Sequence, residues 1–188
     1  RAALPPLSEQ RRIAAILDKS DTIRRKRREA IALTEELLRS TFLEMFGDPV
    51  TNPKGWPVVR MGELVRATQY GTSSKANEEG RGIPILRMNN VTADGQVDLS
   101  SLKWVELEPS DLPKYTVQCG DLMFNRTNSP KLVGKTAVWH ADESYALAGY
   151  LVRVRFLPER AEPDYVSAFL NSDFGKRYLF VKAKPSNN

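Results

Sequence analysis

The sequence predicts an α+β protein in two parts: a long coiled-coil-type helix, then a separate domain with a mixed or antiparallel sheet and a C-terminal helix. Three observations carry this. Ser8 to Phe46 holds no Gly and no Pro, and its apolar residues recur at helical spacing. From Gly55-Trp56-Pro57 onward the pattern changes to short apolar runs separated by turn residues. From Pro163 to Lys182 helical spacing returns.

The first helix follows Leu4-Pro5-Pro6-Leu7, and Ser8 is its expected N-cap. Ile13, Ile16, Ser20, Ile23, Ala30, Thr34, Leu37 and Thr41 alternate at three and four residues, a heptad seam interrupted by Arg27. Leu17, Ile31 and Leu38 widen one side of the stripe. Gly47-Asp48-Pro49 stops the helix. Such a helix is roughly 58 Å long, more than the diameter of a small domain. Its seam therefore calls for a partner helix, and nothing later in the chain is long enough. The basic run Arg24-Arg25-Lys26-Arg27-Arg28 points all round the axis and reads as a solvated face. Arg27, on the seam, is expected to pair with a carboxylate of the partner helix. The expected division is a helix over 1–47, a linker over 48–55 and a domain over 56–188.

In the domain, Ile83 to Met88, Leu102 to Leu107, Gly120 to Thr127, Val133 to His140 and Tyr145 to Phe156 read as strands. In the last, Val152, Val154 and Phe156 alternate with Arg153 and Arg155. Asn89 to Gln96 and Pro109 to Lys114 are turn-rich or briefly helical. Pro163 to Lys182 is expected as one closing helix, with Tyr165, Phe169, Ser172 and Leu179 on one face.

Bulk properties narrow the chemistry. A single cysteine, Cys119, rules out an internal disulfide framework and fits a reducing compartment. One cysteine and one histidine, His140, leave no zinc site of ordinary composition, so no metal is expected. No apolar run approaches the roughly 20 residues of a membrane span, and Arg1 to Leu7 lacks a signal-peptide core. Gly134-Lys135-Thr136 looks like the end of a phosphate-binding loop, but Ser129 stands where that loop needs its first glycine. No dinucleotide fingerprint is present. Glu78, Glu79, Asp142 and Glu143 lie in charged loops and read as solvated surface. No catalytic residue is expected. A pI near 9.4 suits a polyanionic partner.

What remains is a set of polar loops, each following a run that reads as a strand. They are Gln69-Tyr70-Gly71-Thr72-Ser73-Ser74-Lys75, Arg87-Met88-Asn89-Asn90 and Asn125-Arg126-Thr127-Asn128-Ser129-Pro130-Lys131, with Lys135 just beyond. Arg donates a fork of hydrogen bonds to guanine, and Asn or Gln pairs with adenine. Lys, Ser and Thr suit phosphate oxygens. The candidate DNA contacts are thus Gln69, Tyr70, Thr72, Ser73, Lys75, Arg87, Asn89, Asn90, Arg126, Thr127, Asn128, Lys131 and Lys135. Asn, Ser, Thr and Gly are also good turn formers, and Asn89, Asn90 and Asn125 suit turn caps equally well.

Several stretches resemble specificity subunits of type I restriction–modification systems. Leu4 to Asp18 and Phe42 to Pro49 are similar to the start and end of that family's conserved helical region. Trp56-Pro57 followed by Gly62-Glu63-Leu64 resembles the entry to its target-recognition domain. Tyr70 to Ser73, Ile83 to Asn90, Gly120 to Ser129 and Leu132 to Ala137 resemble parts of that domain. The resemblance implies a non-catalytic subunit that reads half of a bipartite site on double-stranded DNA. Methyltransferase subunits, carrying S-adenosylmethionine, and a restriction subunit would be its partners in a prokaryotic cytoplasm. No cofactor is implied for this chain. Against the family layout the sequence holds one helix and one recognition domain. This suggests the central helix and second domain of a longer subunit, or a homodimer paired through Ile13, Ile16, Leu17, Ile23, Arg27, Ala30, Ile31, Leu37 and Leu38. Such a pair would favour a palindromic split site, with the helix running alongside at most about 17 base pairs. The competing reading is a protein-interaction module with a coiled-coil docking helix.

Overall fold

The computed structural model describes residues 4–49, 51–127 and 133–182, and the chain separates into two units, Arg1–Trp56 and Pro57–Asn188. The first helix, α1, spans Leu7–Phe46. Proline sets its start. Pro6 has φ −53° and ψ 149°, and its carbonyl accepts from the N–H groups of Glu9 and Gln10 at 2.9 and 3.0 Å. Proline's fixed φ prepares the helical entry, so Ser8 lies inside the first turn and is not the expected N-cap. No residue of α1 is buried. The hydroxyls of Ser20 and Thr34 donate to the carbonyls of Ile16 and Ala30, both at 2.9 Å, which masks two polar members of the seam.

The end of α1 is closed by the residues after it. Gly47, at φ 81°, donates its N–H to the Leu43 carbonyl at 2.8 Å. Lys54 Nζ reaches the carbonyls of Glu44 and Met45 at 2.8 and 2.7 Å, and Trp56 Nε1 reaches that of Phe46 at 3.0 Å. These side chains satisfy carbonyls that no helical N–H can reach. Lys54, in the stretch expected as a linker, and Trp56 just after it thus cap the helix end. Asn52 holds the fold-back, exchanging two hydrogen bonds with the Trp56 backbone at 2.8 and 2.9 Å.

The second unit contains two sheets. Strands β1 (Val65–Tyr70), β7 (Leu151–Phe156), β4 (Leu122–Asn125) and β5 (Thr136–Val138) lie in that order, all antiparallel. A smaller mixed sheet orders β3 (Lys103–Val105), β2 (Ile83–Leu86) and β6 (Ala146–Leu147), with β2 and β6 parallel. Short helix α2 (Leu112–Tyr115) precedes β4, and α3 (Pro163–Asn171) and α4 (Asp173–Lys182) close the unit.

Alternation along β4 assigns the faces of the larger sheet. Leu122 packs with Val138, Phe156 and Val166 of α3, whereas Met123 packs with Leu86, Val117, Trp139, Leu147 and Leu151. The sheet is therefore covered on both sides, and this explains Arg153. It pairs across from Met123 and is only 8% exposed. Its guanidinium donates to the Thr116 carbonyl and lies 3.8 Å from the buried Asp121 carboxylate. Burial pulls the Arg153 pKa down, while hydrogen bonding to Asp121 raises that of Arg155.

Two expected elements divide. The run over 145–156 is not one strand. It turns at Ala148-Gly149-Tyr150, where Leu151 N–H donates to the Ala148 carbonyl at 2.8 Å, and its halves join different sheets. The closing helix breaks at Ser172, whose hydroxyl donates to Phe169 O at 2.6 Å and accepts from Gly175 N–H at 3.2 Å. A serine that bonds locally in this way competes with helix continuation. The buried residues of α3 are Val166 and Ser167, whereas Tyr165 is exposed. The Asn171 amide docks α3 on β5, donating to Thr136 O at 2.8 Å.

Candidate nucleic-acid interface

The polar loops after β1 and β4 and the end of β2 meet because one short segment, 147–151, binds all three through backbone atoms. Gly71 N–H donates to Leu151 O at 3.0 Å and Thr72 N–H to Leu147 O at 2.7 Å, fixing the loop after β1. Ala148 N–H donates to Leu86 O at 2.9 Å, fixing the end of β2. Arg126 N–H donates to Tyr150 O at 3.0 Å, fixing the loop after β4. Gly71 permits the close approach of the loop after β1: a Cβ there would lie 2.3 Å from the carbonyl oxygens of Leu147 and Ala148.

On this rim the Arg126 guanidinium lies over the Tyr70 ring, Cζ to centroid 4.8 Å. Both residues are exposed, and so is Tyr150, at 58%. Sequence reasoning missed Tyr150. Its signal was an aromatic residue directly after a glycine turn and before a strand. Gln69 is half-buried and donates its amide to the neighbouring Tyr70 carbonyl at 3.0 Å. Ser73, Lys75 and Asn89 are exposed, and Thr127 and Lys135 are half-buried. Thr127 N–H donates to Asn125 Oδ1 at 3.1 Å, and Lys135 O accepts from Asn125 N–H at 2.9 Å, so Lys135 flanks the base of the Arg126 loop. Asn128 and Lys131 lie outside the described residues.

Other candidates hold the loops rather than face outward. Asn90 is 2% exposed. Its Oδ1 accepts from Arg87 N–H at 2.9 Å, and its Nδ2 donates to Asp98 O and Ser101 O at 2.8 and 3.1 Å. Three hydrogen bonds leave it little capacity for a base edge, so the turn-cap alternative describes it. Thr72, also buried, bonds Ser74 through its hydroxyl. Arg87 is half-buried and donates to Ser101 O at 3.1 Å, while its Nε is buried with no hydrogen-bond partner among the described residues. Asn125, fully buried, has an Nδ2 that likewise finds no partner among the described residues.

Charge on the flank of the rim is mixed. Lys75 lines a shallow groove of about 360 Å³ with Glu78, Glu79, Arg81, Lys103 and Glu106. Lys103 Nζ bonds Glu78 at 2.8 Å and holds that carboxyl below its ordinary pKa, with a smaller contribution from Arg87. Lys75 is therefore surrounded by carboxylates as well as cations. Among the described residues no group of three or more His, Cys, Asp or Glu side chains is placed to hold a metal ion. None of their helices is long and apolar enough to cross a membrane.

No family model matches the chain. It is 28% identical over 130 residues to the putative type I restriction enzyme MjaX specificity subunit of Methanocaldococcus jannaschii, a match covering 68% of this chain and 30% of that protein. It is 32% identical over 127 residues to the type I restriction enzyme EcoKI specificity subunit of Escherichia coli K12, covering 66% and 27%. Among solved structures, the HsdS subunit from Thermoanaerobacter tengcongensis matches with TM-score 0.53 and 27% identity over 98% of this chain and 44% of its own. A chain from a study of type I R-M system assembly and conformational transition matches with TM-score 0.56 and 26% identity, over 94% and 44%. The chain thus spans less than half the length of the relatives it matches.

Proposed function

We propose that this chain, which is similar in sequence and in fold to specificity subunits of type I restriction–modification systems, reads one half of a bipartite DNA sequence. The observation that carries the proposal is the rim, where the loops after β1 and β4 and the end of β2 are tied to one segment, with Tyr70, Arg126 and Tyr150 exposed. Rigid strands holding polar loops at fixed spacing suit sequence readout, in which each side chain must meet a particular base edge. The reading set we favour is Gln69, Tyr70, Ser73, Asn89, Arg126, Thr127 and Tyr150, with Lys135 on phosphate. Chemistry on DNA would belong to partners: methyltransferase subunits using S-adenosylmethionine to modify adenine, and a restriction subunit, in a prokaryotic cytoplasm.

The exposed seam of α1 supports a second part of this reading. Ile16, Leu17, Ile23, Ile31, Leu37 and Leu38 are each more than half exposed, a stripe that a second antiparallel helix would bury. That helix comes from the same subunit or from a second copy. Replacing Ile16 and Ile23 together by Asp, followed by sedimentation of the full chain, distinguishes the two. A concentration-dependent dimer lost in the variant supports self-pairing, and a monomer at high concentration in the parent protein excludes it.

The test of DNA reading is selection from randomised duplexes by the full chain, alone and with methyltransferase subunits. Enrichment of a short common sequence supports the proposal. Weak, sequence-blind binding removed by moderate salt favours instead a protein-interaction module that docks through α1.

A further inference from the structure

Arg126 differs from the guanidinium groups that build the domain. Arg155 directs its fork at Asp121, at 2.7 and 3.0 Å, and at Gln118, at 2.8 Å. Arg126, exposed on the rim, makes no ion pair among the described residues, and its side-chain contact there is the Tyr70 ring at 4.8 Å. An aromatic face attracts a cation through its quadrupole. It offers no oxygen to accept from the N–H groups. A carboxylate would restrain the guanidinium and occupy its donors, whereas the ring restrains it and leaves them available. Both partners are anchored beside the pair, through Gly71 N–H on Leu151 O and Arg126 N–H on Tyr150 O, each at 3.0 Å.

We propose that Tyr70 is a positioning residue, whose ring holds the Arg126 guanidinium so that its free donors meet the two acceptors on the major-groove edge of a guanine. The inference rests on the DNA-reading role above and assigns that role one base. Guanine carries O6 and N7 side by side, the acceptor pair that a guanidinium matches with two parallel hydrogen bonds. Tyr70 then contributes to sequence choice through Arg126 rather than through its own hydroxyl.

The experiment compares the full-length parent with Tyr70→Phe, Tyr70→Leu, Arg126→Ala and the Tyr70→Leu/Arg126→Ala double variant. Binding is measured to the selected duplex, to its single-base variants and to an unrelated duplex. Arg126→Ala is expected to abolish preference at one G·C pair. Tyr70→Phe keeps that preference, and Tyr70→Leu lowers it about five- to thirtyfold, the size of a cation–π contact as it is desolvated. Affinity for the unrelated duplex stays unchanged, and the double variant is no worse than Arg126→Ala alone. Equal losses for Phe and Leu would make the hydroxyl the contact, additive losses would make the two residues independent, and loss on every duplex would make Arg126 a phosphate ligand. Each outcome overturns the proposal, as does a preferred base other than guanine. A second readout needs no DNA: the Arg126 Nε–H resonance shifts upfield under the ring current in the parent and Tyr70→Phe, and returns in Tyr70→Leu. Absence of that shift sinks the positioning role by itself. A parent with the shift but no base preference sinks the DNA-reading role, and the guanine assignment with it.

Discussion

Asp121, almost wholly buried, accepts two hydrogen bonds from the Arg155 guanidinium at 2.7 and 3.0 Å, and it also faces the buried Arg153 at 3.8 Å. One carboxylate therefore answers two cations on the same strand, β7. It accepts from the backbone N–H of Gln118 at 2.8 Å as well, which draws the segment before β4 onto the sheet.

Asp121→Asn removes the charge while keeping the shape. It leaves Arg153 buried without a counter-ion, a loss of about 3 kcal/mol or more. Urea unfolding should show a lower midpoint with an unchanged slope.

Gly71→Ala should be among the most damaging single-methyl additions in the domain. The new Cβ would meet two carbonyl oxygens at 2.3 Å, so the loop after β1 must lift from 147–148 and lose the Thr72–Leu147 hydrogen bond. We expect about 1–3 kcal/mol of destabilisation, read as a lower thermal midpoint. Sequence selection should be lost even at temperatures where the domain stays folded.

Asn89 and Asn90 are neighbours with opposite expectations. Asn90→Ala strips partners from the carbonyls of Asp98 and Ser101 and should cost about 2 kcal/mol. Asn89→Ala, at an exposed position, should leave the unfolding midpoint within about 0.5 kcal/mol of the parent. If Asn89 reads a base, only this second variant changes the selected sequence without changing stability.

Some of this was legible in the sequence and some was not, for identifiable reasons. The first helix was plain because its heptad spacing persists without Gly or Pro. Strand β1 gave only a weak signal because Val65-Arg66-Ala67-Thr68-Gln69-Tyr70 contains few apolar residues and is mostly exposed. The break at Ser172 was hidden because apolar spacing continues across it, and only the serine hydroxyl's local bonds reveal it. The burial of Arg153 was not legible because its alternation with Val152 and Val154 cannot show that a sheet is covered on both faces. At the rim, residue types identified the loops, but composition could not separate Asn90, which holds a turn, from Asn89, which faces outward.

Acid should loosen the turn that Asn90 holds. Ser100 donates to the Asp98 carboxylate from its hydroxyl and from its backbone N–H, the latter at 2.8 Å, and keeps that carboxyl below its ordinary pKa. A depressed folded-state pKa means the stabilisation is present above the ordinary aspartate range and is lost as pH falls through the lower, folded value. Ser100→Ala should move the Asp98 titration upward, measured from its carboxyl carbon by NMR. Asp98→Asn should make stability less dependent on pH in the acid range.

The segment over 147–151 offers an amide from Ala148 to the end of β2, and carbonyls from Leu147, Tyr150 and Leu151 to the loops after β1 and β4. Every one of these anchors is a main-chain atom, and apart from Gly71, where a Cβ would strike the segment, none depends on which side chain faces outward. Outward-facing residues can therefore be exchanged by mutation without detaching the loops from their mount. A lineage built on this arrangement can acquire new preferences by altering few codons, and inherit the architecture that displays them unchanged.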